Sequence, residues 1–362
     1  MSDQNGNMKT IELHENGLDI QFRIRENGVV ELADLSSQEV KKAAMEPKED
    51  IYYPAVEIHR SGTGSLNMHA YKNNINQSSV DFVYEKHELK EQDGGKELEI
   101  VMVSPEKLKA IYHMRLFDGV PAVQTWTEIT NEGSEDQGLT YVSSFIYQGI
   151  SRGGDKPYYK KTDIYVPFNS WCCEAQWQKY DAETLNLNGM VVDGFNHQGY
   201  GLNRYCYSGK GTWSTCEYLP MGIAEDRETG ETYIFQVESS GQWLIEYGSA
   251  QGGNLYLTVS GATEQEHGWY KNLKPGECFT TVPAGAAVVK GGLNPAVAAL
   301  TRYRRKVRRA NPDDEKLNVV FNDYMNCLMG DPTTERELSI IDKAAELGCE
   351  YYCLDQDRKS VV

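Results

Sequence analysis

No run of apolar residues in this 362-residue sequence approaches the length of a membrane span, and Met1 to Thr10 are polar, without the apolar core of a secretory leader. A cytoplasmic protein with no membrane partner is the expectation. Positive charge is also scarce: 36 Lys and Arg stand against 53 Asp and Glu, a formal net charge of −17. Outside Arg302 to Arg309 the cations do not cluster, and nucleic acid or an anionic membrane requires clustered Lys and Arg. Neither is expected as the main partner. The eight Cys lack a C-x-x-C or other metal-like spacing, and the seven His do not gather beside the adjacent pair Cys172-Cys173. They read as reduced, mostly buried thiols rather than zinc ligands or a disulfide framework. Signatures of common chemistries are missing too. There is no G-x-S-x-G, H-E-x-x-H or P-loop, and Gly62-Thr63-Gly64 and Gly209-Lys210-Gly211 lack the third glycine and the helix of a dinucleotide site. No cofactor and no metal are expected.

What the sequence holds is alternation. Leu18 to Ile24 reads apolar-polar with period two, turns at Glu26-Asn27-Gly28 and resumes at Val29 to Leu32, a hairpin pattern. The same grammar recurs at Ala55 to His59, Val80 to Leu89, Glu97 to Val103, Ala110 to Phe117 and Val123 to Thr130. After Lys210 it returns at Gly211 to Gly222, Thr232 to Glu238, Gln242 to Tyr247 and Asn254 to Val259. Short strands parted by Gly, Asn and Asp turns at this density predict a large antiparallel sandwich. Six Trp and 23 Tyr fit either a β core or faces that stack sugars. Between Tyr147 and Lys210 the alternation weakens, and Val166 to Trp177 reads as a loop with Trp171 and Trp177 six residues apart and Glu174 between them. Such a loop could stack on and hydrogen-bond a sugar, or fold back on its own sandwich.

Asn294-Pro295 opens a helix in which Ala296, Val297, Leu300, Tyr303 and Val307 are apolar and Arg302 to Arg309 cationic. It reads as a connector. Beyond it, Leu317 to Phe321 is a short apolar strand followed by the polar turn Asn322 to Asn326. Thr333 and Thr334 then cap a helix with Leu338, Ile341, Ala344, Ala345 and Leu347 at helical spacing, and Gly348 stops it. Cys349 to Leu354 is a second apolar run, so this stretch is a βαβ unit with parallel strands. In such units chemistry sits beyond the strand carboxyl ends, where Asn322, Asp323, Tyr324 and Asp355 fall.

Phe321-Asn322-Asp323-Tyr324-Met325-Asn326-Cys327-Leu328-Met329-Gly330-Asp331-Pro332-Thr333-Thr334 resembles the first barrel strand and loop of the melibiase-type α-galactosidases, glycoside hydrolase family 36. Ala344 to Asp355 is similar to that family's first barrel helix and second strand, whose motif continues as Asp, a variable residue, Gly, Trp. Here Asp355-Gln356-Asp357-Arg358 stands instead. Asn169-Ser170-Trp171 and Glu174-Ala175-Gln176-Trp177 resemble a segment of the family's N-terminal domain, with Cys172-Cys173 where His-Gly is common. Gly211 to Gly222, Ser260 to His267 and Trp269 to Glu277 are similar as well. The resemblance is strong from about Gly149 to Asp355 and weaker before it.

The resemblance implies a mainly β fold class: a large N-terminal β-supersandwich over residues 1–290, a linker helix over 291–312, and over 313–362 the first βαβ unit of a (β/α)8 TIM barrel, truncated. It implies retaining hydrolysis of terminal α-galactosyl residues of melibiose- and raffinose-type oligosaccharides, with α-galactoside sugars as partners and a homo-oligomer formed through the sandwich. By resemblance, Tyr324 stands where the family has a ring that packs on galactose, and Asp355 matches an acid that accepts from sugar hydroxyls. Trp171, Glu174 and Trp177 are the other candidate substrate-binding residues. Retention needs two carboxyl groups about 5 Å apart across the anomeric carbon. The family's two catalytic aspartates lie on later barrel strands, so no catalytic residue is assigned here and the chain alone is expected to be inactive. The alternative is a non-catalytic carbohydrate-binding or assembly module whose aromatic loops, around Trp171, Trp177, Trp213 and Trp243, face a sugar or a partner subunit.

Overall fold

The computed structural model describes residues 8–49, 51–64, 66, 72–188, 203–250, 253–328 and 331–354. The chain divides into two compact units, Met1–Lys306 and Val307–Val362. No helix among the described residues is long and apolar enough to cross a membrane.

The first unit is mainly β and holds three antiparallel sheets. The largest runs, from one edge to the other, Cys173–Asp181, Thr162–Ser170, Met221–Asp226, Glu231–Val237, Ala284–Lys290, Val120–Asn131, Leu108–Phe117, Gly95–Val103 and Val83–Gln92, with Cys278–Thr280 also paired to Val120–Asn131. Of its central strands Val120–Asn131 alternates as the sequence does, whereas Glu231–Val237 is buried throughout and Ala284–Lys290 nearly so. In Val120–Asn131, Thr125, Thr127 and Ile129 are buried while Gln124, Trp126 and Glu128 face the other side. The outer strand Val83–Gln92 is largely exposed and studded with Lys86, Glu88, Lys90 and Glu91, a charged edge that discourages pairing with another chain.

A second sheet orders Arg204–Gly209, Trp243–Ala250, Asn254–Ser260, Gln137–Ile150 and Lys271–Leu273, and Ile58–Arg60 also joins Gln137–Ile150. The two sheets face each other through Phe235 and Tyr247, ring centroids 6.0 Å apart, and through Tyr147 and Tyr233 at 5.8 Å. Thr125 Oγ1 donates across to the Ser144 carbonyl at 2.7 Å. A three-stranded sheet, Lys9–Glu15, Leu18–Ile24 and Val30–Ser37, closes one end, where Phe22 meets Tyr112 edge-on at 5.8 Å. The predicted hairpin is its core, with Leu18–Ile24 paired to Val30–Ser37 around Gly28, whose φ of 86° suits a residue without Cβ.

Two expectations need correction. Gly211 to Glu217 forms turns and bends rather than a strand, Tyr218 makes only an isolated bridge to Phe168, and the strand begins at Met221, after Pro220, which has no N–H for a ladder. Side chains help to tie the segment down, with Trp243 Nε1 donating to the Ser214 carbonyl at 2.7 Å. Conversely, Gln137–Ile150 is a 14-residue strand that alternation does not reveal, because it is buried on both faces and its inward and outward positions do not differ in polarity. The thiols also differ from expectation: all eight Cys are free, but Cys172, Cys173, Cys216, Cys278 and Cys327 are exposed.

Helix Leu293–Val307 buries Ala296, Ala299, Leu300 and Tyr303, while Val297 is exposed. Tyr303 lies so close to Gly285 that a Cβ there would stand 2.5 Å from the ring.

In the second unit, Val320–Asn322 and Tyr351–Cys353 pair in parallel with helix Thr334–Glu346 between them, the βαβ arrangement read from the sequence. Thr333 caps the helix by accepting the Arg336 N–H, and Gly348 follows it with a φ of 86°. The first strand starts later than predicted because Leu317 is left-handed, with a φ of 51°. Within this unit Val320, Leu338 and Leu347 are exposed.

Candidate functional site

The segment Val166 to Trp177, read as a loop, is the end of a β-hairpin. Thr162–Ser170 and Cys173–Asp181 pair antiparallel, with Ser170 opposite Cys173 and Trp171-Cys172 as the two-residue turn. Cys172 takes a left-handed φ of 61° there. The register slips between Phe168 and Ser170, and Asn169 occupies the irregularity. Set against two residues of the partner strand, Glu174 and Ala175, Asn169 works as an anchor. Its Oδ1 accepts the Ala175 N–H at 3.0 Å, its Nδ2 donates to the Thr215 carbonyl at 2.5 Å, and its backbone N–H donates to the Glu217 carbonyl at 2.9 Å. The hairpin end is thereby fixed to the turns that carry Trp213.

Trp171 is 73% exposed and Trp213 60% exposed, an aromatic surface on a hydrogen-bonded frame. Trp177 is half-buried and opposite Pro167 in the hairpin ladder. Glu174 is exposed, and its carboxylate accepts the Cys172 N–H at 3.1 Å, so it caps the turn locally. Trp243 does not face outward as the alternative reading expected: it is fully buried in strand Trp243–Ala250, against the edge of Tyr207 with ring centroids 6.0 Å apart. Truncating it removes both a large core side chain and the tether to Ser214. Trp243→Ala is expected to lower unfolding free energy by about 3–5 kcal/mol, read from urea denaturation, whereas Trp171→Ala should leave it within about 0.5 kcal/mol.

The other candidates lie in the second unit. Asn322 ends the first parallel strand, and Asp323 and Tyr324 follow at its carboxyl edge. Asp323 is buried; its N–H donates to the Cys353 carbonyl at 3.2 Å and its carboxylate accepts from the Tyr352 hydroxyl at 3.3 Å. Burial and the Asp323 carboxylate push that hydroxyl up to about 12. Tyr324 is half-buried, its N–H donating to Asn322 Oδ1 at 2.9 Å as the chain enters the wide turn Tyr324–Leu328. Asp355 lies outside the described residues. Trp171, Glu174 and Trp177 thus share one hairpin of the first unit, and Tyr324 belongs to the second.

Sequence reading missed two groups that folding assembles. Glu246 is fully buried and accepts from Asn73 N and Nδ2, both at 2.8 Å, and from Tyr256 and Arg204, both at 2.6 Å. Glu97, Glu99 and His113 come together on the polar face of the large sheet, Glu99 directly opposite His113. The i, i+2 spacing of Glu97 and Glu99 was visible; the register that brings His113 to them was not.

No family model matches the sequence, and no curated protein matches it. Solved structures do. The α-galactosidase AgaB of glycoside hydrolase family 36 from Geobacillus stearothermophilus matches at a TM-score of 0.72 and 16% identity, covering 97% of this chain and 50% of its own. AgaA from the same organism, in complex with raffinose, matches at 0.71 and 16% identity, covering 96% of this chain and 50% of its own. The α-galactosidase from Lactobacillus brevis matches at 0.67 and 15% identity, with coverage of 96% and 48%. The chain spans about half the length of these structures, and at such identity the likeness is one of fold.

Proposed function

We propose that this chain is the sandwich domain, linker helix and opening βαβ of the barrel of an α-galactosidase-type glycoside hydrolase of family 36. Its substrates would be terminal α-galactosyl residues of melibiose- and raffinose-type oligosaccharides, cleaved with retention in the cytoplasm. The observation that carries this reading is the agreement of fold likeness with motif resemblance. Nearly the whole chain superimposes on half of several α-galactosidases, and the residues that carry the motif resemblance overlap the strands Val320–Asn322 and Tyr351–Cys353, which pair in parallel as a βαβ unit. In this reading residues 1–290 are the sandwich, 291–312 the linker and 313–362 the start of the barrel. Tyr324 would pack on the apolar face of galactose and Asp355 would accept from its hydroxyls. The two carboxyl groups that retention requires, about 5 Å apart, are assigned to neither.

The test has two arms. The 362 residues alone should release no nitrophenol from nitrophenyl α-galactoside; robust release would overturn the assignment of catalysis to residues outside them. The gene is then read in all three frames past the Leu354 codon: a frame that encodes Gly-Trp and further barrel strands supports the reading, and the product carrying them should hydrolyse that substrate, whereas the lack of such a frame moves the function to binding by the sandwich. An extended product inert towards α-galactosides would overturn the family assignment.

One observation favours a second reading, a non-catalytic carbohydrate-binding or assembly module: the exposure of Trp171 and Trp213 on a braced hairpin end. That reading expects tryptophan fluorescence to change on titration with raffinose, or an oligomeric mass that Trp171→Ala lowers. An unresponsive monomer would refute it.

A further inference from the structure

On the polar face of the large sheet, three adjacent strands place Glu97, Glu99 and Glu128 around the imidazole ring of His113. His113 is 6% exposed, and Trp126 stacks on it with centroids 4.6 Å apart and planes 6° from parallel, so the ring plane is fixed. Nδ1 lies 2.9 Å from a Glu97 oxygen and 3.9 Å from a Glu99 oxygen. Nε2 is buried without a hydrogen-bond partner, and a Glu128 carboxylate oxygen lies 3.8 Å from it. A neutral imidazole has one proton. If Nδ1–H donates to Glu97, the Nε2 lone pair is left facing an anion.

We infer that Glu97, Glu99 and His113 form a binding site for a divalent cation of the zinc class, with Glu128 as the carboxylate that accepts from the far ring nitrogen. A cation on Nδ1 takes the lone pair there, moves the ring proton to Nε2, and gives Glu128 a hydrogen to accept, the usual carboxylate–histidine–metal relation. The donor atoms of Glu97, Glu99 and His113 all lie within 4.8 Å of one another. Separations of 2.9 and 3.9 Å bracket the spacing of about 3.4 Å between ligands around a tetrahedral ion with bonds of about 2.1 Å. One imidazole and two carboxylates suit zinc, cobalt or nickel, and leave a position for water. Gln92 Nε2 holds the other Glu97 oxygen at 2.5 Å, and Lys90 Nζ stands 2.5 Å from Glu99 Oε1, where it competes with the ion. Bound there, the cation cross-links strands Gly95–Val103 and Leu108–Phe117 and buttresses Val120–Asn131 through Glu128. The site is structural and independent of the proposed glycosidase role.

The test uses the whole chain, stripped with chelator and with its exposed thiols alkylated so that cysteine cannot bind metal. Calorimetric titration with zinc chloride should show one saturable site and raise the melting temperature. Cobalt chloride should give the visible bands of a tetrahedral nitrogen–oxygen site and quench Trp126, an effect absent in Trp126→Phe. Glu99→Gln and His113→Ala should abolish binding, Glu128→Gln should weaken it about 10–100-fold, and Lys90→Ala should tighten it. Because Glu128 and Lys90 are partly exposed, those two variants keep the test decisive if His113→Ala fails to fold. No saturable binding, or binding unchanged in both Glu99→Gln and Glu128→Gln, would overturn the inference.

Discussion

Raised beyond pH 10, the protein should unfold in one cooperative step, and the share of the tyrosinate absorbance that belongs to nine buried tyrosines should rise with the loss of β circular dichroism rather than before it. Burial holds Tyr112, Tyr141, Tyr147, Tyr158, Tyr207, Tyr233, Tyr247, Tyr256 and Tyr303 above the ordinary value of 10. Several of these hydroxyls are also donors the fold uses: Tyr256 to Glu246 at 2.6 Å, Tyr158 to the Leu187 carbonyl at 2.7 Å, Tyr233 to the Leu35 carbonyl at 2.8 Å and Tyr207 to the Met221 carbonyl at 2.9 Å. A phenolate cannot donate. Below pH 10 both folded and unfolded chains keep these protons, so the contribution is complete there. Above it the unfolded chain releases protons that the folded chain retains, and stability falls by about 1.4 kcal/mol per pH unit for each tyrosine. Nine of them remove on the order of 10 kcal/mol per pH unit, comparable with the whole stability of a domain.

Two lysines work in the opposite sense at lower pH. Burial lowers Lys72 to about 8 and lowers Lys42 as well. Between about pH 8 and the ordinary lysine value of 10.5, the unfolded chain binds a proton at Lys72 that the folded chain has released, so stability rises with pH there. The curve should therefore climb above pH 8, peak near 10 and collapse. Smooth ionisation of all 23 Tyr near pH 10 with native circular dichroism intact would refute this account.

Glu246→Ala should cost about 3–5 kcal/mol, because four donors converge on a carboxylate that is fully buried. Arg204 also bonds Glu266 at 2.9 Å, but alanine at 246 removes the partner that lies deepest. Replacing both ends, Glu246→Ala with Arg204→Leu, should recover part of the loss, since no cation is then left beside an apolar gap. Glu246→Gln should fall between, as its amide oxygen still accepts from Asn73 or Tyr256. Urea unfolding of the four proteins decides it; a loss below about 1 kcal/mol for Glu246→Ala would mean that water reaches Arg204 and the network is not closed.

Leu18 to Leu32 is legible as a hairpin because alternation and the Asn27-Gly28 turn are local signals, and Thr333 with Gly348 bounds a helix by chemistry equally local, a side-chain cap at one end and a left-handed glycine at the other. Gly211 to Leu219 shows where this fails: apolar residues at strand-like spacing satisfy their backbone through Trp243, Asn169 and Pro167, partners that only folding supplies. Trp243 and Trp171 are the same residue type near similar turn signals, yet one is core and one is surface. Composition cannot separate them, because burial depends on which sheet faces which.

Local pattern was enough to establish that this chain is β-rich, that its tail folds as βαβ and that its strands alternate, since side-chain period and turn chemistry act between neighbours along the chain. The strand order, the register that sets Glu99 against His113, the burial of Glu246 with its donors, and the fixing of the Trp171 hairpin end to the turns around Thr215 all came from packing beyond the local pattern. They depend on pairings between residues far apart in the chain, whose energy comes from excluding water between whole sheets, and no local pattern encodes which partner is chosen.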